Sequence, residues 1–221
     1  MNYVKRGLIA VALVTSVYSN SAFSWWTNPN NTHYQMTILS HQRLSNLGLL
    51  HYGYLKEGAN NPDRVSGVTK LATHHRHFYH LEKNYNEAIR KYRNRDYQGS
   101  ALNLASSFHY VQDALDFSHD FDSQDVLREI IKNFDQLMKE EPSIRSMYRD
   151  VYSGELNYLN SFNLNQVVRN AQKSQKTYRR EMQRAIDTYE EEEAAKVAVR
   201  NLAVTVAHQD RILDIFASRV Q

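Results

Sequence analysis

Histidine and aspartate stand together in one stretch of this chain, His109-Tyr110-Val111-Gln112-Asp113, with His119 six residues beyond Asp113. Four-residue spacing on a helix stacks two side chains on one face, with Cβ atoms roughly 6 Å apart. An imidazole nitrogen and a carboxylate oxygen at that distance can hold one cation between them. The same spacing is found more often in a solvated pair on a surface helix. The stretch has a helix to ride on. No Gly or Pro interrupts Ala101 to Leu115, and Leu104, Ala105, Phe108, Val111 and Leu115 recur at amphipathic spacing. After it Asp116, Ser118, Asp120 and Asp122 weaken the helix, so His119 can fold back toward the pair.

Other histidines cluster. His74, His75, His77 and His80 fall in one helical stretch, where His74, His77 and His80 share a face and His75 points elsewhere. A polar, partly exposed helix face is the plain reading of such a group. His41, His51 and His208 lack a ligand-type partner at diagnostic spacing and suit surface or hydrogen-bonded core positions. Of the three, His208, in His208-Gln209-Asp210 of an apolar C-terminal helix, is the one placed to touch a site. The chain has no cysteine, so any metal must be held by His, Asp, Glu or backbone groups.

The elements that must carry these residues are helices. A chain of 221 residues with 42% hydrophobic content, 7 Gly and 3 Pro has few breakers and enough apolar surface for one sizeable core. No Gly/Ser- or Pro-rich linker divides it, and no internal repeat is visible. Thr32 is a plausible N-cap for a helix from His33 to Leu50. The cluster Glu57-Gly58-Ala59-Asn60-Asn61-Pro62-Asp63 reads as a turn, which places Asp63 on or beside a loop. Helical pattern resumes near Val68 and runs to Leu81, then again over Tyr85 to Arg93. Gln124 to Glu140 is amphipathic and ends at Pro142. Ile144 to Tyr152 and Leu156 to Phe162 are short pieces. Asn165 to Val220 lacks Gly and Pro and suits two long helices or one bent one, with Glu190 to Glu193 marking a first turn or a solvated face.

Residues 1–24 have the marks of a signal peptide. Lys5 and Arg6 precede an apolar run from Gly7 to Val17, and Ala22-Phe23-Ser24 supplies small residues at a cleavage site. That run is too short to span a bilayer, which needs about 20 residues. Cleavage would leave Trp25 first and direct the chain to the periplasm or outside the cell. The leader carries two basic and no acidic residues, so the mature chain, 25–221, has a net charge of about +1. A charge near zero, with no basic stripe read along the chain, weighs against nucleic acid as partner.

Trp25, Asn-Thr-His33, Asp63, then His77-Phe78-Tyr79 and His109-x3-Asp113-x5-His119 occur in one order. Together they resemble the zinc-dependent phospholipases C of bacteria, which share an all-α fold with the S1/P1 nucleases. The resemblance covers residues 25 to 119, about two-fifths of the chain. It implies an all-α, single-domain multi-helix bundle of the phospholipase C/P1 nuclease type. It also implies that the amino group and carbonyl of Trp25, with His33, hold one zinc, that His77 and His109 hold a second, and that Asp113 bridges them. Asp63 would be a further ligand or the base for the attacking water, and His119 would serve a third ion. Imidazole and carboxylate ligands suit zinc without thiolate. Paired cations acidify a shared water and stabilise both oxygens of a phosphodiester displacement.

Departures accompany the likeness. The family holds its third metal with a later His-x3-Glu or His-x3-Asp, and none follows His119. Asp125 and Glu129 keep the spacing with a carboxylate in place of the imidazole, or are ordinary solvated positions. Gln112 and Phe117 stand where the family has Gly and Pro. Two zinc ions are therefore expected and the third is in question. The expected function is an exported phosphoric ester hydrolase acting on phospholipid or another phosphodiester, with peripheral contact to a membrane surface. An S1/P1-type nuclease and a non-catalytic, metal-stabilised exported helical protein are the alternatives. An HD-type phosphohydrolase, prompted by His119-Asp120, leaves Trp25, His33 and Asp63 unexplained.

Overall fold

A computed structural model of the chain describes residues 32–65, 78–115 and 130–221. No strand occurs among them. The helices are α1 (Thr32–Ile38), α2 (His41–Asn46), α3 (Tyr52–Val65), α4 (Phe78–Arg93), α5 (Tyr97–Leu115), α6 (Phe134–Glu140), α7 (Pro142–Leu159), α8 (Leu164–Asp187) and α9 (Glu191–Val220). The all-α expectation holds. None of the described helices is long and apolar enough to cross a membrane.

Helix α5 is the axis of the bundle. Small residues on it (Gly99, Ser100, Ala101, Ala105, Ser106, Ser107) are buried together with Leu104, Phe108 and Val111, so neighbours approach from several sides. Helices α3 and α4 pack closely along it, and α1, α8 and α9 also touch it. The main core joins Phe108, Leu115, Tyr85, Leu55, Val167 and Phe216. A second cluster around Met36, Ile131, Met182, Val197 and Leu202 lies where α8 and α9 meet α1.

Several boundaries differ from those read in the sequence, each for a physical reason. His33 to Leu50 is two short helices with Leu39 and Ser40 turning between them. The second closes in a Schellman motif: Gly48 takes φ 67°, and the amides of Gly48 and Leu49 donate to the carbonyls of Ser45 and Leu44. Glu57 to Asp63 is helix, the end of α3, so Asp63 lies in a helical turn rather than a loop. Pro62 has no amide to offer the Gly58 carbonyl, and Ser106 Oγ donates to that carbonyl instead, at 2.9 Å. Gly58 is there for close approach: a Cβ on it would stand 2.1 Å from the Leu102 carbonyl oxygen of α5.

Pro142 does not merely end a helix; it opens α7 at a first-turn position, where its missing amide costs nothing. The two pieces read between Ile144 and Phe162 are this one helix, which passes through Gly154. Tyr85 to Arg93 is the second half of α4, which begins at Phe78. The two long C-terminal helices are as expected, and Glu190 to Glu193 is indeed the start of α9. Between them Tyr189 takes φ 55° and closes α8 with the same paired amide bonds, to Ile186 and Ala185.

One reading of charge is corrected. The chain does carry a basic stripe, on α8, where Arg169, Lys173, Lys176, Arg180 and Arg184 are all exposed. Overall charge balance hid it.

Candidate metal centre

The i,i+4 pair on α5 is buried, not solvated: His109 is 0% and Asp113 2% exposed. His109 Nε2 lies 3.0 Å from Asp113 Oδ2. Helix α1 brings His33 against them, itself 3% exposed, with Nε2 3.4 Å from Asp113 Oδ1. The two imidazole rings lie 4.1 Å apart between centroids and are tilted by 39°. Each oxygen of one carboxylate thus faces one histidine.

The other ring nitrogens decide which tautomers are present. His109 Nδ1 is 2.8 Å from the Ala59 carbonyl of α3, a pure acceptor, so Nδ1 carries the hydrogen. His33 Nδ1 is 2.7 Å from Gln112 Oε1. The orientation of that amide follows from its other end, because Gln112 Nε2 faces three acceptors: the His33 carbonyl at 3.2 Å, Thr37 Oγ1 at 3.1 Å and Gln209 Oε1 at 3.4 Å. Thr37 donates its own hydroxyl hydrogen to the His33 carbonyl, at 2.8 Å, and so has a lone pair for Gln112. His33 therefore also holds its hydrogen on Nδ1. Both Nε2 atoms are turned toward Asp113.

This arrangement converges two imine nitrogens and a carboxylate in a place from which water is largely excluded. Acceptors of that kind do not gather in a protein interior without a positive centre, a proton or a metal ion, to hold them. The three groups offer ligand atoms that all lie within 4.8 Å of one another, the only such group of three or more found among the described residues. Two imidazoles and a carboxylate, each histidine braced through Nδ1 to a carbonyl or amide oxygen, is a donor set and a bracing pattern that fit zinc.

Of the seven residues predicted for the site, His33, His109 and Asp113 are brought together. Asp63 is carried by the last turn of α3, one helical turn beyond Ala59, whose carbonyl braces His109. Trp25, His77 and His119 lie outside the described residues, as do residues 1–24, His74, His75, Asp125 and Glu129. His80 is exposed on α4, with its ring stacked 6.0 Å from Tyr110. His208 is fully buried but belongs elsewhere. Its Nδ1 donates to the Val204 carbonyl at 2.8 Å, and Nε2 meets Asn170 at 3.3 Å. The Glu155 carboxylate is 3.7 Å from that Nε2. Burial pushes the imidazole down to about 4, so near neutrality this is a hydrogen-bonded group, not an ion pair. Its neighbour Gln209 is the residue of α9 that reaches the site.

Gln112, Gln209, Thr37 and Ala59 were not among the predicted site residues. Gln112 stood out in the sequence only as a departure from the family pattern, and two amides, a hydroxyl and a backbone carbonyl carry no ligand signature. Comparisons with protein-family models, curated proteins and solved structures give no match to the chain.

Proposed function

We propose that the protein is an exported, zinc-dependent phosphoric ester hydrolase of phospholipase C-like type, acting on a phosphodiester at the His33–His109–Asp113 centre. One observation carries this reading: two buried imidazoles, each oriented through Nδ1, turn Nε2 toward opposite oxygens of a single buried carboxylate. A carboxylate presented in that way is suited to bridging, and the histidines on its two sides are those that the resemblance assigns to different ions. A divalent cation held by His33, His109 and Asp113 would polarise the phosphoryl group and acidify the attacking water. The chain's own part is to hold the ligands. Gln112 and the Ala59 carbonyl keep the Nδ1 hydrogens away from the centre, and the surrounding core limits bulk water. Asp63, on the next turn of α3, is proposed to orient the water or take its proton.

A second reading is favoured by the burial of all three ligands, at 0–3% exposure: a metal that ties α1 to α5 and does no chemistry. Zinc content and turnover separate the two. The hydrolase reading expects zinc in the mature protein and hydrolysis of a nitrophenyl phosphodiester. Asp113→Asn should then lose more zinc than His33→Ala. Asp63→Asn should keep most zinc and lose about 10²–10⁴ in turnover. Zinc without turnover of nitrophenyl phosphodiesters, phosphatidylcholine or single-stranded DNA selects the structural reading. Protein that binds no zinc refutes both.

A further inference from the structure

Helix α8 carries Arg169, Lys173, Lys176, Arg180 and Arg184 at intervals of four, three, four and four residues, and all five are exposed. At 3.6 residues per turn they fall within about 80° of arc and form a straight row about 22 Å long. The row lies opposite the face that buries Val167, Val168, Ala171, Met182 and Ala185. It is therefore the outermost ridge of the helix. None of the five has an ion-pair or side-chain hydrogen-bond partner among the described residues. The two acidic residues of the helix are occupied elsewhere: Glu181 accepts from Arg200 of α9 at 3.1 Å, and Asp187 from Gln183 at 2.7 Å. Among the described residues, the hollow between Lys176, Arg179, Arg180, Gln183 and Arg184 is lined by α8 and Thr188 alone, so no neighbouring element rises beside the ridge there. Six basic residues against two acidic ones give α8 a larger positive excess than the net +3 of the whole chain.

We propose that this ridge docks the protein on an anionic lipid surface. A convex line of cations meets a plane at every point at once. A single nucleic-acid strand, by contrast, is held in a basic cleft with aromatic side chains for stacking. The ridge is not a cleft, and no aromatic residue stands in its row. The apolar side of α8 is used up in the core, so docking is electrostatic, reversible and sensitive to salt, without insertion. The surface is independent of the metal centre, because attachment needs neither metal nor turnover.

Co-sedimentation of the full chain with vesicles tests it. Equimolar phosphatidylglycerol and phosphatidylcholine should bind the protein at low salt, pure phosphatidylcholine should not, and added salt should release it. Each cation near such a surface strengthens partitioning about fivefold, so replacing all five by Gln should weaken it on the order of 10³-fold. Gln is a good helix former, and circular dichroism should show the variant folded. The control Lys56→Gln with Lys83→Gln, exposed but off the ridge, should bind like the parent. Three results would overturn the proposal: no binding of folded protein to the anionic vesicles, binding indifferent to the five substitutions, or an equal loss in the control. Ridge-dependent binding to single- or double-stranded DNA tighter than to vesicles would overturn it in favour of nucleic acid.

Discussion

Gln112 is the residue on which the orientation of His33 depends. Its side-chain oxygen accepts the Nδ1 hydrogen, and its amide holds the backbone of α1 through the His33 carbonyl and Thr37. Bracing of that kind is worth about 10–100-fold in metal affinity. Gln112→Leu is expected to weaken zinc binding by that factor, measured by competition with a chromophoric chelator. Gln112→Glu, which keeps an acceptor for Nδ1, should restore much of the affinity while remaining less stable than the parent. Gln209→Leu leaves the His33–Gln112 bond in place and should alter stability more than affinity. Equal affinity in the parent and Gln112→Leu would show that His33 is oriented by something else. His109 and Asp113 were legible in the sequence because an i,i+4 pair announces itself. Gln112 was legible only as a departure from a family pattern, because an amide becomes a brace only when a distant backbone meets it.

Among the elements, the contact of α3 with α5 gives a prediction opposite in sign to helix propensity. Ala is about 1 kcal/mol better than Gly in a helix interior. At position 58, however, a methyl group would be driven to 2.1 Å from the Leu102 carbonyl, against rigid backbone. Gly58→Ala should therefore destabilise the fold by about 2 kcal/mol or more, as overpacking does. It should also disturb the neighbouring Ala59 carbonyl that braces His109. A denaturation midpoint equal to or above the parent's would refute the close contact. The same position shows why the sequence misled there. Gly58 and Pro62 are breakers by local chemistry, and only Ser106 and the backbone of α5 make them good helix residues. Elsewhere the sequence was informative: apolar spacing located α5, and the breaker-free run after Asn165 located α8 and α9. Ends closed by Arg95 at φ 62° and Tyr189 at φ 55° were not legible, because the residue that usually marks a left-handed cap is Gly.

For the whole molecule, the buried polar groups on α9 set a dependence of stability on pH. His208 is held down to about 4 by burial, against 6.5 in a free side chain. Between those values the unfolded chain takes up a proton that the folded chain refuses, so stability falls as pH falls from about 6.5 to about 4. The full loss is roughly 3 kcal/mol. Glu155 opposes it in part: burial raises its carboxyl, so the folded chain keeps that proton to higher pH than the unfolded one. Urea unfolding of the parent and His208→Gln, both with chelator present, isolates the histidine. The parent should lose about 3 kcal/mol more than the variant between pH 7 and pH 4. Parallel curves would mean that His208 is not buried neutral.

The bond from His33 to Gln112 spans 79 positions of the chain, whereas His109 and Asp113 are neighbours on one helix. The two halves of the centre therefore belong to different moments of folding. The pair on α5 forms as soon as that helix does. Bringing α1 to it closes a long loop at an entropic cost on the order of 4 kcal/mol, and a seven-residue helix has little stability of its own to offset this. Docking of α1 should be among the last events on the folding pathway. A cation that binds only the completed set would slow its undocking and act as a kinetic latch on α1.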